Sequence, residues 1–177
     1  MTDATIEDDD GPVRFMRQMV SLDYIAHPSP LGREFTRRLG AHEITGHKCP
    51  SCGLVYAPPQ GFCGLCVVLT DASHEVLVAD RGTITSFTVI TPIQYYGQEE
   101  REDYVLANIL LDGADSNIGQ QRLGGIANAD VRSGLRVAAV WREEIDPGGQ
   151  GFGAAIEHWQ PTGEPDVDPA DFAEHLL

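Results

Sequence analysis

Residues 49–66 read CPSCGLVYAPPQGFCGLC, and all four cysteines of the 177-residue chain fall in this stretch. Cys49-Pro-Ser-Cys52 is followed, after ten residues, by Cys63-Gly-Leu-Cys66. A metal that takes four soft ligands needs thiolates at the corners of a tetrahedron, and each C-x-x-C turn aims two sulfurs to one side. Gly53, just after the first pair, and Gly64, inside the second, suit the tight backbone turns of such knuckles. Pro58-Pro59 stiffens the span between them. Disulfides are disfavoured in a chain read as cytoplasmic, and one C-x-x-C can be a redox pair, but two side by side fit a metal better. Zinc is preferred over iron because ribbons closed by four thiolates are common structural zinc sites; a rubredoxin-like iron centre uses similar ligands and remains open. No further ligand is needed, so the expected metal is structural, held by Cys49, Cys52, Cys63 and Cys66.

Outward from the cysteines, the C-terminal side turns β. Segments 83–92, 104–112, 118–126, 135–142 and 152–159 are β-branched or alternating, and Gly, Asp and Asn turns separate them. Five short strands indicate a small barrel or sandwich. The loops 95–103 and 143–151 are charged or Gly-rich, and 128–133 has room for one helical turn. On the N-terminal side, Phe15, Met16, Met19, Val20 and Leu22 form an apolar stripe that predicts a helix over about 14–25. A second helix follows the His27-Pro28-Ser29-Pro30 break: Ser29 caps it, Pro30 occupies its first position, Leu31, Phe35 and Leu39 share a face, and Gly40 ends it. Residues 1–12 read as a disordered acidic tail. Residues 161–177 form an acidic C-terminal tail in which Asp168-Pro169 can start a last short helix bearing Phe172, Leu176 and Leu177.

Hydrophobic residues make up 42% and charged residues 22% of the chain, enough apolar content for a sizeable core. Charge is the unusual feature: 27 acidic against 12 basic side chains, net −15. Residues 1–10 carry five acids and no base, 11–48 carry six bases against three acids, and 49–177 carry six bases against nineteen acids. An acidic body repels phosphate backbones, which lowers the expectation of nucleic-acid binding. The first residues lack the basic and apolar regions of a secretion signal, and no apolar run approaches bilayer length, so a cytoplasmic location is expected.

The order of these features resembles the DUF35 family, in which an N-terminal helical segment and a rubredoxin-like zinc ribbon precede an OB-fold. The resemblance is carried by Cys49-Pro-Ser-Cys52-Gly53, Pro58-Pro59, Cys63-x-x-Cys66, then Arg81-Gly82-Thr83-Ile84-Thr85-Ser86-Phe87-Thr88 entering the first strand and Gly134-Leu135-Arg136-Val137 entering a late one. It spans about residues 14–160. Gln60 stands where the family usually has Arg, and Ala79-Asp80 departs from the common strand entry. The expected architecture is therefore mainly β, with N-terminal helices (13–45), a rubredoxin-like zinc ribbon (46–70), a five-stranded OB-fold barrel (76–160) and the two acidic tails (1–12 and 161–177). The resemblance implies a non-catalytic accessory subunit that joins a thiolase-like enzyme, a steroid-degrading aldolase of the same fold, or an acyl-CoA hydratase. Such a subunit helps assemble the active site or accommodate acyl-CoA, in steroid or fatty acyl side-chain degradation. A single-stranded nucleic-acid-binding module is the alternative, because ribbons and OB-folds each serve that role; a redox electron carrier is a third reading, separated by metal identity.

The remaining residues fit this picture. There is no G-x-S-x-G elbow, P-loop or H-E-x-x-H in the sequence. His27, His42, His47, His74, His158 and His175 have no nucleophile at recognisable spacing, and His47 is placed to support the ribbon. Arg33, Arg37 and Arg38 lie off the apolar stripe of the second helix and are the candidate contacts to coenzyme A phosphates or to an acidic partner. Glu99-Glu100 and Glu143-Glu144 read as solvated turns. Tyr95, Tyr96 and Phe87 lie near the first strand and its loop; core packing is expected for Phe87. The tail residues Phe172, Leu176 and Leu177 either dock on a partner or pack back on the barrel.

Overall fold

A computed structural model describes residues 22, 27–92, 100–146, 149 and 151–172. The helix expected over 14–25 lies outside the described residues except for Leu22, which is exposed. The helix read from the Ser-Pro break is α1, Pro30–Leu39. The Ser29 side chain accepts the Gly32 N–H at 3.1 Å, and Pro30 needs no partner for an N–H it lacks. Phe35 and Leu39 are the buried face. Phe35 meets Phe152 edge-on, with centroids 5.2 Å apart and planes at 78°, and this contact seats α1 on the barrel.

Two antiparallel sheets follow. The smaller has the order β2-β1-β3, from β1 (Ile44–Lys48), β2 (Val55–Tyr56) and β3 (Glu75–Val78). The larger has the order β6-β5-β4-β7-β8, from β4 (Arg81–Ile90), β5 (Tyr104–Leu111), β6 (Asn117–Arg122), β7 (Arg136–Trp141) and β8 (Ile156–Pro161). β5 alternates strictly, turning Val105, Ala107, Ile109 and Leu111 inward. Its inward residues meet Ile84, Ile118, Val137 and Trp159, all fully buried. Register shifts between Ile84 and Ser86 and between Ala107 and Ile109 bend the sheet, as bulges do where a sheet must curl. The two edges then meet: Leu123 and Trp159 form a parallel bridge, and the Gly124 N–H donates to the Trp159 carbonyl at 2.8 Å. This brings the two edges of the five-stranded sheet together into a barrel joined at one bridge.

The expected strands are present with shifted ends. The largest shift is at 152–159, where residues Gly151–Ala154 form a 3-10 turn and the strand begins at Ile156. Gly151 takes φ +53, which breaks strand geometry, and Phe152 is drawn away to Phe35. Asn128–Asp130 form the short helical turn expected there. Phe87, expected in the core, is 40% exposed, because β4 pairs with β7 only over Arg81–Thr83 while its second half has β5 alone as a strand neighbour, and residues 86–89 are exposed. Of the C-terminal residues, Phe172 is buried and so packs back on the barrel. That segment is anchored by Val167 N–H to Gly134 O at 2.9 Å and by the Arg132 guanidinium on both Asp166 oxygens. Leu176 and Leu177 lie outside the described residues.

The ribbon sheet is joined to the barrel through β2. The Val55 N–H donates to Asp115 Oδ2 and the Asp115 N–H returns to the Val55 carbonyl, each at 2.8 Å. Next to them the Ala57 N–H donates to Ser116 Oγ at 3.1 Å. Three hydrogen bonds thereby pair six polar groups across the junction, and the turn between β5 and β6 fixes where the ribbon stands.

Candidate metal centre

The four cysteines converge. Their Sγ atoms all lie within 4.8 Å of one another, and Cys52 Sγ and Cys63 Sγ are 3.7 Å apart. A disulfide would hold two sulfurs at about 2 Å. Four thiolates about 2.3 Å from a central zinc instead stand ~3.8 Å from each other along the tetrahedron's edges. The cluster fits a metal of this kind.

The backbone repeats itself around the two halves. Cys49 N–H donates to Leu54 O at 2.7 Å and Gly53 N–H to Cys49 O at 2.9 Å. In the second half Cys63 N–H donates to Val68 O at 2.8 Å and Val67 N–H to Cys63 O at 2.9 Å. Amides also point at sulfur: Ser51 and Cys52 N–H toward Cys49 Sγ (3.4 and 3.5 Å), and Cys66 N–H toward Cys63 Sγ (3.4 Å). In each pair the first cysteine is buried and the second more accessible. The N–H dipoles from Cys52 and Ser51 lower the Cys49 thiol below its ordinary value. The Tyr56 hydroxyl, 3.4 Å from Cys63 Sγ, draws the Cys63 thiol down to about 6, with help from the Cys66 amide. In return the Tyr56 hydroxyl is pushed up to about 12. Such donors stabilise thiolate, the form that binds metal.

One detail differs from the sequence reading. Gly53 does take the left-handed conformation, φ +79, but in the second knuckle the corresponding residue is Val67 at φ +56, not Gly64. The left-handed residue is the one that follows the second cysteine, since its N–H must turn back to the carbonyl of the first. A β-branched residue is strained there, and the closed second half imposes that conformation.

Around the centre, His47 is buried with Nδ1 3.0 Å from Thr70 Oγ1. Burial pushes its imidazole below the ordinary value, so the neutral ring braces β1 against residue 70. His74 closes a capping box with Asp71, and His42 stacks on Trp141 at 4.8 Å.

The three candidate arginines are not alike. Arg38 reaches Glu43 at 2.8 Å and Glu75 at 2.5 Å. Its hydrogen bond to Glu43 raises its pKa. Arg37 pairs with Glu34, and Arg33 donates to the Pro28 carbonyl at 3.1 Å. The role of Glu75 was invisible in the sequence, since it lies 37 residues from Arg38. Glu100 pairs with Arg122, and Glu143 and Glu144 are exposed. Tyr95, Tyr96, Glu99 and His175 lie outside the described residues.

Residues 75–142 match the family model described as "ChsH2, C-terminal OB-fold domain". No curated protein matches the chain. Among solved structures, one titled "Ltp2-ChsH2(DUF35) aldolase" is similar at 20% identity and TM-score 0.56, covering 77% of this chain and 98% of that one. A DUF35-family protein of unknown function from Sulfolobus solfataricus is similar at 21% identity and TM-score 0.50, covering 63% of this chain and 78% of that one. The ribbon-then-barrel order read from the motifs is thus the order of folds named DUF35.

Proposed function

We propose that this DUF35-like chain, whose residues 75–142 match the ChsH2 C-terminal OB-fold domain, is a non-catalytic subunit of a thiolase- or aldolase-type complex acting on acyl-CoA. The observation that carries this reading is the coverage of 98% of a chain from a structure titled as an Ltp2-ChsH2(DUF35) aldolase. Within 77% of this chain lie the counterparts of nearly all of that one. In this reading residues 46–70 are the ribbon, 76–160 the OB-fold, and the partner subunit brings the nucleophile and forms or breaks the carbon–carbon bond. An acyl-CoA hydratase is the alternative partner. The setting is steroid or fatty acyl side-chain breakdown in the cytoplasm, where thiols stay reduced.

Cys49, Cys52, Cys63 and Cys66 would hold a structural zinc, which supplies a cross-link between two halves of a segment with little apolar core. The small cluster there is Cys49, Tyr56 and Cys63, flanked by Leu54 and Cys66. With four protein ligands the metal keeps no open position for substrate. Acyl-CoA is accommodated beside the partner. Of the three basic candidates on α1, Arg33 is the one with no carboxylate partner among the described residues, whereas Arg37 and Arg38 are already neutralised.

A tagged full-length chain drawn from its native cytoplasm tests this reading. A polypeptide of thiolase-type fold should co-purify at fixed stoichiometry and persist through gel filtration in moderate salt. A chain that elutes alone, with no such polypeptide in the eluate, would refute it.

A further inference from the structure

The second knuckle of the ribbon carries an apolar surface that no described residue covers. Residues 61–70, GFCGLCVVLT, contain no charged side chain in a chain of net −15. Phe62 and Leu69 face each other across an antiparallel bridge, which sets both side chains on one face of the hairpin. With Leu65 and Val67 at its tip they are all exposed, Val67 at 81% and Leu69 at 79%. The first knuckle has no such surface and exposes Lys48, Pro50 and Ser51 instead.

Two observations point to an occupant. Val67 holds φ +56 where the first knuckle has Gly53 at φ +79. Glycine would relieve that strain without altering the turn, so what Val67 adds is its exposed isopropyl group, and backbone strain of this kind concentrates at functional sites. The second observation is where the chain enters. α1 begins beside the hairpin: a β-carbon at Gly61 would lie 3.7 Å from Leu31 Cδ2. Residues 13–26, outside the described residues except for Leu22, lead into that helix. Their sequence puts Phe15, Met16, Met19, Val20 and Leu22 on one helical face, and Arg14, Arg17, Gln18 and Ser21 on the other. Leu22 is exposed, so it too lacks apolar cover. The link from residue 25 to Pro30 reaches about 17 Å, and a helix over 14–25 is about 18 Å long. That is enough to turn back and lie along the hairpin.

We propose that residues 13–26 form an amphipathic helix whose apolar face docks on Phe62, Leu65, Val67 and Leu69 of the same chain. Size favours this occupant over a second copy. The four side chains expose on the order of a few hundred Å², the scale at which an apolar patch marks a binding site, whereas each side of a standard protein interface buries about 800 Å². One helix face matches the smaller figure. Docking leaves Arg14 and Arg17 toward solvent and joins the helical segment to the knuckle that the cysteines hold. The inference concerns the chain by itself. Its test needs no partner, so its failure and the failure of the subunit reading are separate results.

The experiment irradiates the metal-loaded full chain carrying p-benzoylphenylalanine in place of Met19 and maps the cross-links by mass spectrometry. The main product should keep the mass of one chain and join position 19 to the peptide 61–70. Leu69→Asp in the same chain should cut that product severalfold while the metal content stays that of the parent. Hydrogen exchange gives a second reading that leaves the ribbon's own sequence untouched. Met16→Glu with Met19→Glu should speed exchange of the 61–70 amides by about tenfold and leave β5 unchanged, and Gln18→Glu on the opposite face should change neither. No cross-link, a product of twice the chain mass, cross-links confined to other parts of the chain, or exchange at 61–70 indifferent to Met16→Glu with Met19→Glu would each overturn the docking.

Discussion

Cys63→Ser should abolish tight metal binding and unfold the ribbon. Cys63 is fully buried at the middle of the cluster, with Cys52 Sγ at 3.7 Å, the Tyr56 hydroxyl at 3.4 Å and the Cys66 amide at 3.4 Å. Serine offers a shorter, harder alcohol that stays protonated, and three thiolates cannot complete the tetrahedron. Structural zinc contributes an apparent ~10–16 kcal/mol in zinc-finger peptides, whereas a whole domain is stable by only about 5–15 kcal/mol. Nothing else in the ribbon's small cluster could offset such a loss. Elemental analysis should fall from one metal per chain toward none, and limited proteolysis should cut within 57–70, a stretch held whole in the parent. A variant that keeps one equivalent of metal and the parent's protease pattern would contradict the assignment of Cys63 as a ligand. The same elemental analysis on the parent separates zinc from iron.

The second large effect belongs to the barrel. Gly82→Ala should cost about 3 kcal/mol or more, roughly a 10 °C drop in Tm for a chain of this size. A β-carbon at Gly82 would collide with the Leu110 carbonyl oxygen and come to 2.9 Å from Leu111 Cα. Those are backbone atoms of the paired strand, so no side-chain rotation relieves the conflict, and Gly82 also pairs with Val137 on its other side. The methyl would have to push β4 from β5 at the centre of the sheet. Gly119→Ala is the matched control. Its β-carbon meets nothing within 4 Å, and its effect should stay within about 0.5 kcal/mol. Equal melting temperatures for the two variants would show that β4 and β5 do not approach as described.

These two sites differ in how readily the sequence reveals them. The cysteine cluster was legible because its spacing is the one that four-thiolate coordination demands, and each knuckle is a local object of a few residues. The five strands were legible for a similar reason, since period-two burial along β5 is a local pattern. Contacts between residues far apart in sequence left no such trace. Asp115 and Ser116, which hold β2 sixty residues away, read as an ordinary polar turn, and Glu75 gave no sign that it would neutralise Arg38. Local propensity also misled where position decided the outcome. Phe87 sits in a strand rich in β-branched residues, yet β7 leaves β4 after Thr83 and the ring stays partly in solvent. Residues 152–155 have strand-like composition, but packing on Phe35 and the left-handed Gly151 make them a turn. Val67 accepts a conformation that composition would have assigned to glycine, because in both knuckles the N–H after the second cysteine turns back to the carbonyl of the first.

The −15 charge takes a sharper meaning in the folded chain. Most arginines are spent on neighbouring carboxylates that tie elements together, as Arg136 is held by Asp112 and Glu164. Among the described residues, Arg33 at the start of α1 and Arg142 after β7 meet backbone carbonyls rather than carboxylates.

The subunit reading stands or falls most directly on reconstitution. Once the co-purifying thiolase-type polypeptide is expressed separately, carbon–carbon bond cleavage of acyl-CoA substrates should be measured for this chain alone, for the partner alone and for the two together. The account predicts no turnover by this chain alone and activity of the pair well above that of the partner, lost when the partner's nucleophile is replaced. Turnover by this chain alone, or partner activity that does not change when the chain is added, would contradict it.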